Sequence, residues 1–460
     1  MNEQRATLRQ QSKDELIDSI FEMQARMSQL EKRLAELEAK TKRKRKTPKN
    51  SSTPPSRSTK ANQPKKPAAK RGAKPGHLGR SRRNAEPDVI VECRVEVCPT
   101  CGCDLSATTH RQISSSQMID IPPIRPQVIE ARRYGVTCPC CATTHQAEYP
   151  AGWNPHRTFG PNLEALVHYL HLAHPLSYQR VVDIVRDVLG LPVSLGAAVN
   201  IVRRAQPQFD AAAQAILATI RDSAVIGSDE TSARVAGRNA WQWVFQTPES
   251  VYFTIEPRRN AAVIHRVIGN HSPVTWVSDL AAAQLKHPAL ELQICLAHQV
   301  RDLQWEIDTR RCAWAYRLQA LLSRAMRLGK QRDQIPPHHY GLQVQAIEHA
   351  CDTLLAQLPT GQDSQRLRRR YLKHRDDLFV FLYRHTVAPT NNASEQALRN
   401  SVIYRKVTGG FRTAWGATAY ANAASVIETA RRRGHNILHT LRVLLEPTPT
   451  PLFSFTAQRE

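Results

Sequence analysis

Leu16, Ile20, Met23, Met27, Leu30, Leu34 and Leu37 follow one another at alternating steps of four and three. That is a heptad seam, and it predicts a self-associating coiled-coil helix over residues 1–40. Ser12 and Glu15 have the spacing of a capping box at its start. The seam ends near residue 40, and regular periodicity returns only near residue 160. There Leu163, Leu166, Val167 and Leu170 mark one helical face. Tyr178 to Ser194 then reads as a helix, a turn at Gly190 and the start of a second helix. Beyond residue 223 the apolar runs shorten to strand length: Ala224–Ser228 ending in Asp229, Trp241–Gln246, Val251–Ile255, Thr275–Ser278 ending in Asp279, and Leu292–Leu296 followed by His298. Thr247-Pro-Glu-Ser250 makes a hairpin between the second and third runs, and Asn260–Ile268 reads as a helix.

The order of these elements is three meandering strands, a helix, a strand, a helix and a strand. It predicts a ribonuclease-H-like sheet in which the first and fourth strands lie side by side. The fold class is therefore α+β and multidomain, with a catalytic domain over 223–430 carrying a helical insertion at 302–388 and a C-terminal tail at 431–460. The helical segment at 151–222 has the outline of a helix-turn-helix, a unit often used to lay a helix in the major groove.

Charge sharpens this picture. The 460-residue chain carries a net charge of +24. Sixteen Lys and Arg residues lie between Lys42 and Arg83, with no Asp or Glu among them. Such a stretch cannot bury enough apolar surface to fold alone. It predicts a phosphate-binding tether over 41–85, with Lys42, Arg43, Lys44, Arg45 and Lys46 at its head. No apolar run reaches the roughly 18 residues a membrane span needs, and the first residues lack the apolar core of a signal peptide. A cytoplasmic protein is expected.

Seven of the ten cysteines cluster between Cys93 and Cys141. Clustering of this kind in a cytosolic chain points to metal rather than disulfides. Cys98 with Cys101, and Cys138 with Cys141, are two C-x2-C pairs, each able to sit on a tight turn and offer two thiolates to one Zn²⁺. The module over 86–150 is thus expected to hold structural zinc, with Cys93, Cys103, Cys140, His110 and His145 as other ligand choices.

Asp229 and Asp279, at the ends of neighbouring strands, should face each other at one rim of the sheet. Phosphoryl transfer on DNA uses two Mg²⁺ (or Mn²⁺) ions roughly 3.5–4 Å apart, held by carboxylates. A third acid is offered by Glu395, in the first turn of a helix that starts at Asn391-Asn392-Ala-Ser. Taken singly, each acid has a structural reading: a strand end for Asp229, a helix N-cap for Asp279, a capping box with Asn392 for Glu395. Glu230 points to the other side of an extended strand. Arg399 stands one turn beyond Glu395, able to contact phosphate or to pair with Glu395. His298 and Arg301 follow the last strand as auxiliary groups, and Arg405, Lys406 and Arg412 lie in a Gly-containing segment suited to DNA contact.

Asp229-Glu230-Thr231, Cys295-Leu-Ala-His298, Asn391-Asn392-Ala-Ser-Glu395-Gln-Ala-Leu-Arg399 and Gly409-Gly410-Phe411-Arg412 together resemble the motifs of the insertion-sequence-66 family of transposases. The leading coiled coil, the basic Lys74-Pro-Gly-His77 stretch, the zinc module and the segment around Gly160-Pro161 are similar to that family's layout, so the resemblance covers nearly the whole chain. It implies a DDE transposase acting at the ends of an insertion sequence, with Asp229, Asp279 and Glu395 as the catalytic, metal-holding triad. The partners it implies are terminal-repeat and target DNA, at least one further copy of the chain, and accessory proteins of the same element. It also implies association with the nucleoid. The family usually follows its second Asp with Gly and a nearby Tyr, whereas Leu280-Ala281 follow Asp279. The same acids would serve a structure-specific nuclease of this topology. A non-catalytic DNA-binding descendant is a further alternative, against which the intact acid triad argues.

Overall fold

The computed structural model describes residues 26–27, 29–31, 84–150 and 153–445. The coiled coil expected over 1–40, apart from short helical pieces at 26–27 and 29–31, lies outside the described residues. So do the tether residues through Arg83, including Lys42, Arg43, Lys44, Arg45 and Lys46. The described residues divide into two compact units, one of 84–153 with 182–195, the other of 154–181 with 196–445.

The smaller unit is built on two matching turns. Val97 bridges Asp104, and strand β1 (Gly135–Thr137) pairs antiparallel with β2 (Thr144–Gln146). Inside the first, Cys98 N–H donates to Cys103 O and Gly102 N–H to Cys98 O, each at 2.9 Å. Inside the second, Cys138 N–H donates to Thr143 O and Ala142 N–H to Cys138 O, again at 2.9 Å. The residue four places after the leading cysteine is left-handed in both, Gly102 at φ 74 and Ala142 at φ 57. Glycine takes that conformation freely, whereas the alanine pays on the order of 1 kcal/mol for it.

In chain order the helices before the sheet are α1 (Pro161–His168), which runs on as a π-helical turn over Tyr169–Ala173, α2 (Tyr178–Leu189), α3 (Leu195–Arg204) and α4 (Gln206–Arg221). Two helices, α2 and α3, stand in the chain where the helix-turn-helix outline is expected, with Gly190 left-handed between them at φ 66. The sheet of the larger unit has five strands, β3 (Val225–Val235), β4 (Arg238–Gln246), β5 (Val251–Glu256), β6 (Thr275–Ser278) and β7 (Glu291–Ile294), in the spatial order β5-β4-β3-β6-β7. The first three form an antiparallel meander, and β3, β6 and β7 run parallel. The first and fourth strands are neighbours, as the element order requires.

Period-two burial gives the sheet two apolar faces. Ile226, Trp243, Phe245 and Trp276 point to one, covered by Leu217 and Ile220 of α4 and by Val263, Ile264 and Val267 of α5 (Ala261–Ile268). Val244, Val251 and Phe253 point to the other, under α11 (Asn392–Thr408) and α12 (Ala414–Arg432). Truncating a fully buried aromatic such as Trp243 would cost about 3–5 kcal/mol. The edge strand β5 turns its ladder amides to α12, where Ser425 Oγ accepts from Phe253 N–H and Thr429 Oγ1 from Val251 N–H. On the opposite edge Ile294 N–H donates to Asp377 O, and Gln293 binds Leu378 O and Phe381 N–H.

Between β7 and α11 run α6 (Leu296–Arg310), α7 (Ala313–Lys330), α8 (Pro337–Ala356), α9 (Gln362–Lys373) and the short α10 (Val380–Tyr383). The insertion is helical as expected, but its first helix starts at Leu296, before residue 302. Two expectations fail. The helix expected between β6 and β7 is only a turn with a 3-10 piece at Gln284–Lys286, because His287-Pro288 and the return strand leave no room for more. The tail expected from residue 431 begins inside α12 and continues as α13 (Ile437–Leu445), whose Leu441 is fully buried.

Candidate active site

The parallel pairing of β3 with β6 covers only Val225, Ile226 and Gly227, opposite Thr275, Trp276 and Val277. Beyond it β3 runs on to Val235 with β4 alone at its side. Asp229 therefore sits inside the strand rather than at its end, at the point where the β6 side opens. Continuing the register by two residues brings Asp229 level with Asp279, the first residue past β6. Asp279 Oδ1 accepts from Ala281 N–H at 3.0 Å, which fixes the turn that leaves the strand; it caps no α-helix.

Alternation sends Glu230 to the opposite face, as expected. There it binds Arg259 at 2.7 Å and Gln284 at 2.6 Å, and it is buried. Asp229 has no such counter-charge. Burial first, then the nearby Asp279 and Glu230 carboxylates and Glu395, hold its carboxyl well above the usual range. A carboxylate so placed favours either a proton or a cation.

The third acid arrives on α11. Its N-cap is Asn391, one residue before the position expected, and no side-chain capping bond forms there. Glu395 therefore does not serve its helix end. Its carboxylate lies 3.2 Å from Arg301 Nη2 and 3.6 Å from His298 Nε2, both on the first turns of α6. The alternative Glu395–Arg399 pair is replaced by this contact from another element. Burial and then Arg301 push the His298 imidazole below its ordinary value, and its Nδ1 is buried without a hydrogen-bond partner.

One network ties the backbone behind all three acids. Asn391, 1% exposed, donates from Nδ2 to Ser228 O at 2.7 Å, the carbonyl immediately before Asp229. Its N–H points to Cys295 Sγ at 3.1 Å. Cys295 N–H in turn donates to Ser278 O at 2.8 Å, the carbonyl immediately before Asp279, and Leu296 N–H to Pro389 O at 3.0 Å. Ser394 Oγ donates to Asn391 Oδ1 at 2.6 Å and so locks the amide in this orientation. The sequence marked Asn391 and Cys295 as parts of motifs but carried no sign of this tie. Gly227 lies beneath it, where a Cβ would come within 3.3 Å of Asn391 Oδ1 and clash with Gln246.

Among the described residues, the set whose ligand atoms all lie within 4.8 Å of one another is Cys295, His298 and Glu395. Asp229, Asp279 and Glu395 are not drawn together that tightly, nor are Cys98, Cys101, Cys138 and Cys141. Of the basic residues, Arg399, Lys406 and Arg412 are exposed, and Arg399 lines a cavity of about 780 Å³ beside α11. Arg405 is half-buried, with Nη2 3.3 Å from Thr231 Oγ1 and a buried, unpartnered Nη1. The Gly409-Gly410-Phe411 segment docks on the end of β3: Phe411 N–H donates to Arg234 O, Ala236 N–H to Phe411 O, and a Cβ on Gly410 would come within 3.1 Å of Arg234 O. These glycines serve the chain's own fold.

Two family models match this chain. The zinc-finger binding domain of transposase IS66 matches residues 96–142, the stretch holding both cysteine turns. The model described as Transposase IS66 family matches residues 156–419, which hold the sheet, the insertion and α11. The two matches together place a zinc-finger region and a transposase-family region on one chain. The chain belongs to the IS66 family of transposases. It is also similar to an uncharacterized protein, y4jO, of Sinorhizobium fredii (strain NBRC 101917 / NGR234), with 28% identity over 175 residues, 38% of this chain and 47% of the relative. The chain thus spans about half the length of that curated relative. No helix among the described residues is long and apolar enough to cross a membrane.

Proposed function

We propose that this chain is a DDE transposase with a ribonuclease-H-like catalytic domain, cleaving and joining DNA at the ends of an insertion sequence through Asp229, Asp279 and Glu395. The observation that carries the reading is the unpaired charge at the sheet rim. Asp229 is half-buried among the Asp279, Glu230 and Glu395 carboxylates and has no salt bridge among the described residues, while the neighbouring Glu230 has both Arg259 and Gln284. The strand order supports the topology, with Asp229 inside β3 and Asp279 just past the end of its parallel neighbour β6.

The donor set fits divalent cations: carboxylate oxygens from three elements, the ligand type that metal-dependent phosphoryl transfer would use. Such ions supply charge neutralisation for the attacking and leaving oxygens. The residues do the rest. Asp229, close enough to feel both Asp279 and Glu395, would be one of the carboxylates that hold the ions. Asp279 and Glu395 would be the others. Arg301 neutralises Glu395 in the resting site and is free to turn to a DNA phosphate. His298, its pKa lowered, stands beside Glu395 as an auxiliary group.

The two matching turns support Cys98, Cys101, Cys138 and Cys141 as the zinc ligands. Cys103 and Cys140 have no counterpart in the other turn, whereas these four do. The remaining assignments follow. Lys42, Arg43, Lys44, Arg45, Lys46, Arg399, Arg405, Lys406 and Arg412 contact terminal-repeat or target DNA. The segment 1–40 pairs protomers, and accessory proteins of the element assist. The site of action is the cytoplasm, at the nucleoid.

Supercoiled plasmid bearing the element's ends, with Mg²⁺, tests the reading. Nicking and strand joining should be lost in Asp229→Asn, Asp279→Asn and Glu395→Gln. Cutting without joining would make the chain a nuclease instead, and equal nicking by Asp229→Asn would refute the mechanism.

A further inference from the structure

Cys295, His298 and Glu395 come from the end of β7, the first turn of α6 and the first turns of α11. They converge so that one donor atom of each lies within 4.8 Å of the others. The sulfur, fully buried, forms the floor. The carboxylate, a third exposed, forms the mouth. The mixture of a thiol, an imidazole and a carboxylate is the donor set of Zn²⁺ and similar thiophilic ions, and Mg²⁺ takes neither sulfur nor, as a rule, imidazole.

Two further observations point to an ion. The sulfur faces amide donors: Asn391 N–H lies 3.1 Å from Sγ, and Cys295 is itself the N-cap of the 15-residue α6. Burial outweighs these donors and keeps the thiol's pKa raised in the ion-free site, while the donors lower the cost of the thiolate that an ion would stabilise. The imidazole, moreover, has a buried nitrogen, Nδ1, with no hydrogen-bond partner.

We propose that Cys295, His298 and Glu395 form a three-donor site for a thiophilic divalent cation of the Zn²⁺ class, which inhibits the enzyme by taking Glu395 away from the catalytic site. The inhibitory consequence rests on the role given to Glu395 above, whereas the binding does not. Tetrahedral coordination needs donor separations of roughly 3.5 Å, given bonds of about 2.0–2.3 Å. Small side-chain rotations, chiefly of Glu395, close the difference. The ion displaces Arg301 from Glu395, and the thiol proton leaves to solvent as sulfur binds. One position stays open to water.

Full-length protein with its zinc module loaded is titrated with Cd²⁺, and bound cadmium and sulfur-to-cadmium charge-transfer absorbance are measured for the wild type and Cys295→Ser. Serine preserves the N-cap, and the zinc module is common to both proteins, so the difference reports this site. The wild type should bind one more cadmium, and Asp279→Asn should keep it. Equal uptake by wild type and Cys295→Ser overturns the proposal. Were the serine variant unfolded by circular dichroism, His298→Asn replaces it, with the same two outcomes.

In the second arm, Zn²⁺ is titrated into Mg²⁺-dependent nicking, each protein normalised to its own zinc-free rate. Inhibition should need at least about tenfold more zinc in Cys295→Ser. An unchanged inhibition curve overturns the inhibitory role. If neither protein nicks DNA, the cadmium difference still decides the site, and the loss falls on the transposase mechanism alone.

Discussion

The tie through Asn391 makes a quantitative demand. Asn391→Ala removes the donor to Ser228 O and the acceptor for the Ser394 hydroxyl, both buried. A buried polar group left unpaired costs about 1–3 kcal/mol, so two of them give about 2–6 kcal/mol of lost stability, measurable by urea unfolding. A purely structural residue would show this loss and nothing more. A residue that sets the spacing of the acids should also raise the Mg²⁺ concentration needed for half-maximal nicking, with the rate recovering at saturating metal. Asn391→Asp adds a discriminating sign. Its carboxylate cannot donate to Ser228 O, but its protonated form can, so the defect should shrink as pH falls. Destabilisation below about 0.5 kcal/mol, or a loss of stability with no shift in the magnesium requirement, would refute the reasoning.

Asp229→Asn should stabilise the metal-free protein at neutral pH. The folded pKa of Asp229 is raised, so the native state holds a proton that the unfolded chain has lost. Wild-type stability must therefore fall as pH rises from the ordinary carboxylate range through that raised value; unfolding curves of both proteins across this window should diverge, and parallel curves would refute the assignment. Arg301→Ala should raise the pKa of His298, since Arg301 is the largest cause of its depression after burial; a histidine NMR titration reads it directly. Chelating zinc, or replacing Cys98 by Ser, should open residues 96–142 to proteolysis while the sheet-bearing unit stays resistant; equal resistance of both would count against a structural metal.

The parts of the fold that could be read in the sequence are those that local periodicity specifies. Thr275–Ser278 is buried at every position, and its boundaries match the expected run. Strand β3 was read too short because Thr231-Ser232 breaks the apolar pattern, yet Gln242 and Trp241 pair with these residues and extend the strand. The alanines at 281–283 have helix propensity, but the short return to β7 overrides it. In the site, the three acids and the two cysteine pairs were visible because their chemistry is tied to spacing. What Glu395 touches was not. Its i,i+4 neighbour is Arg399, and the partner it takes is Arg301, 94 residues away. Only the register of three elements brings them together, and no local signal encodes that.

The hydroxyls of Ser425 and Thr429 along β5, with the segment at 377–381 along β7, occupy hydrogen-bonding groups on both outer strands of the sheet. Unsheathed borders invite edge-to-edge association. On the proposed reading, assembly on two DNA ends would then draw on helical surfaces, on the stretches outside the sheet, or on the DNA itself. Crosslinks that map synaptic contacts should fall there and spare the strands.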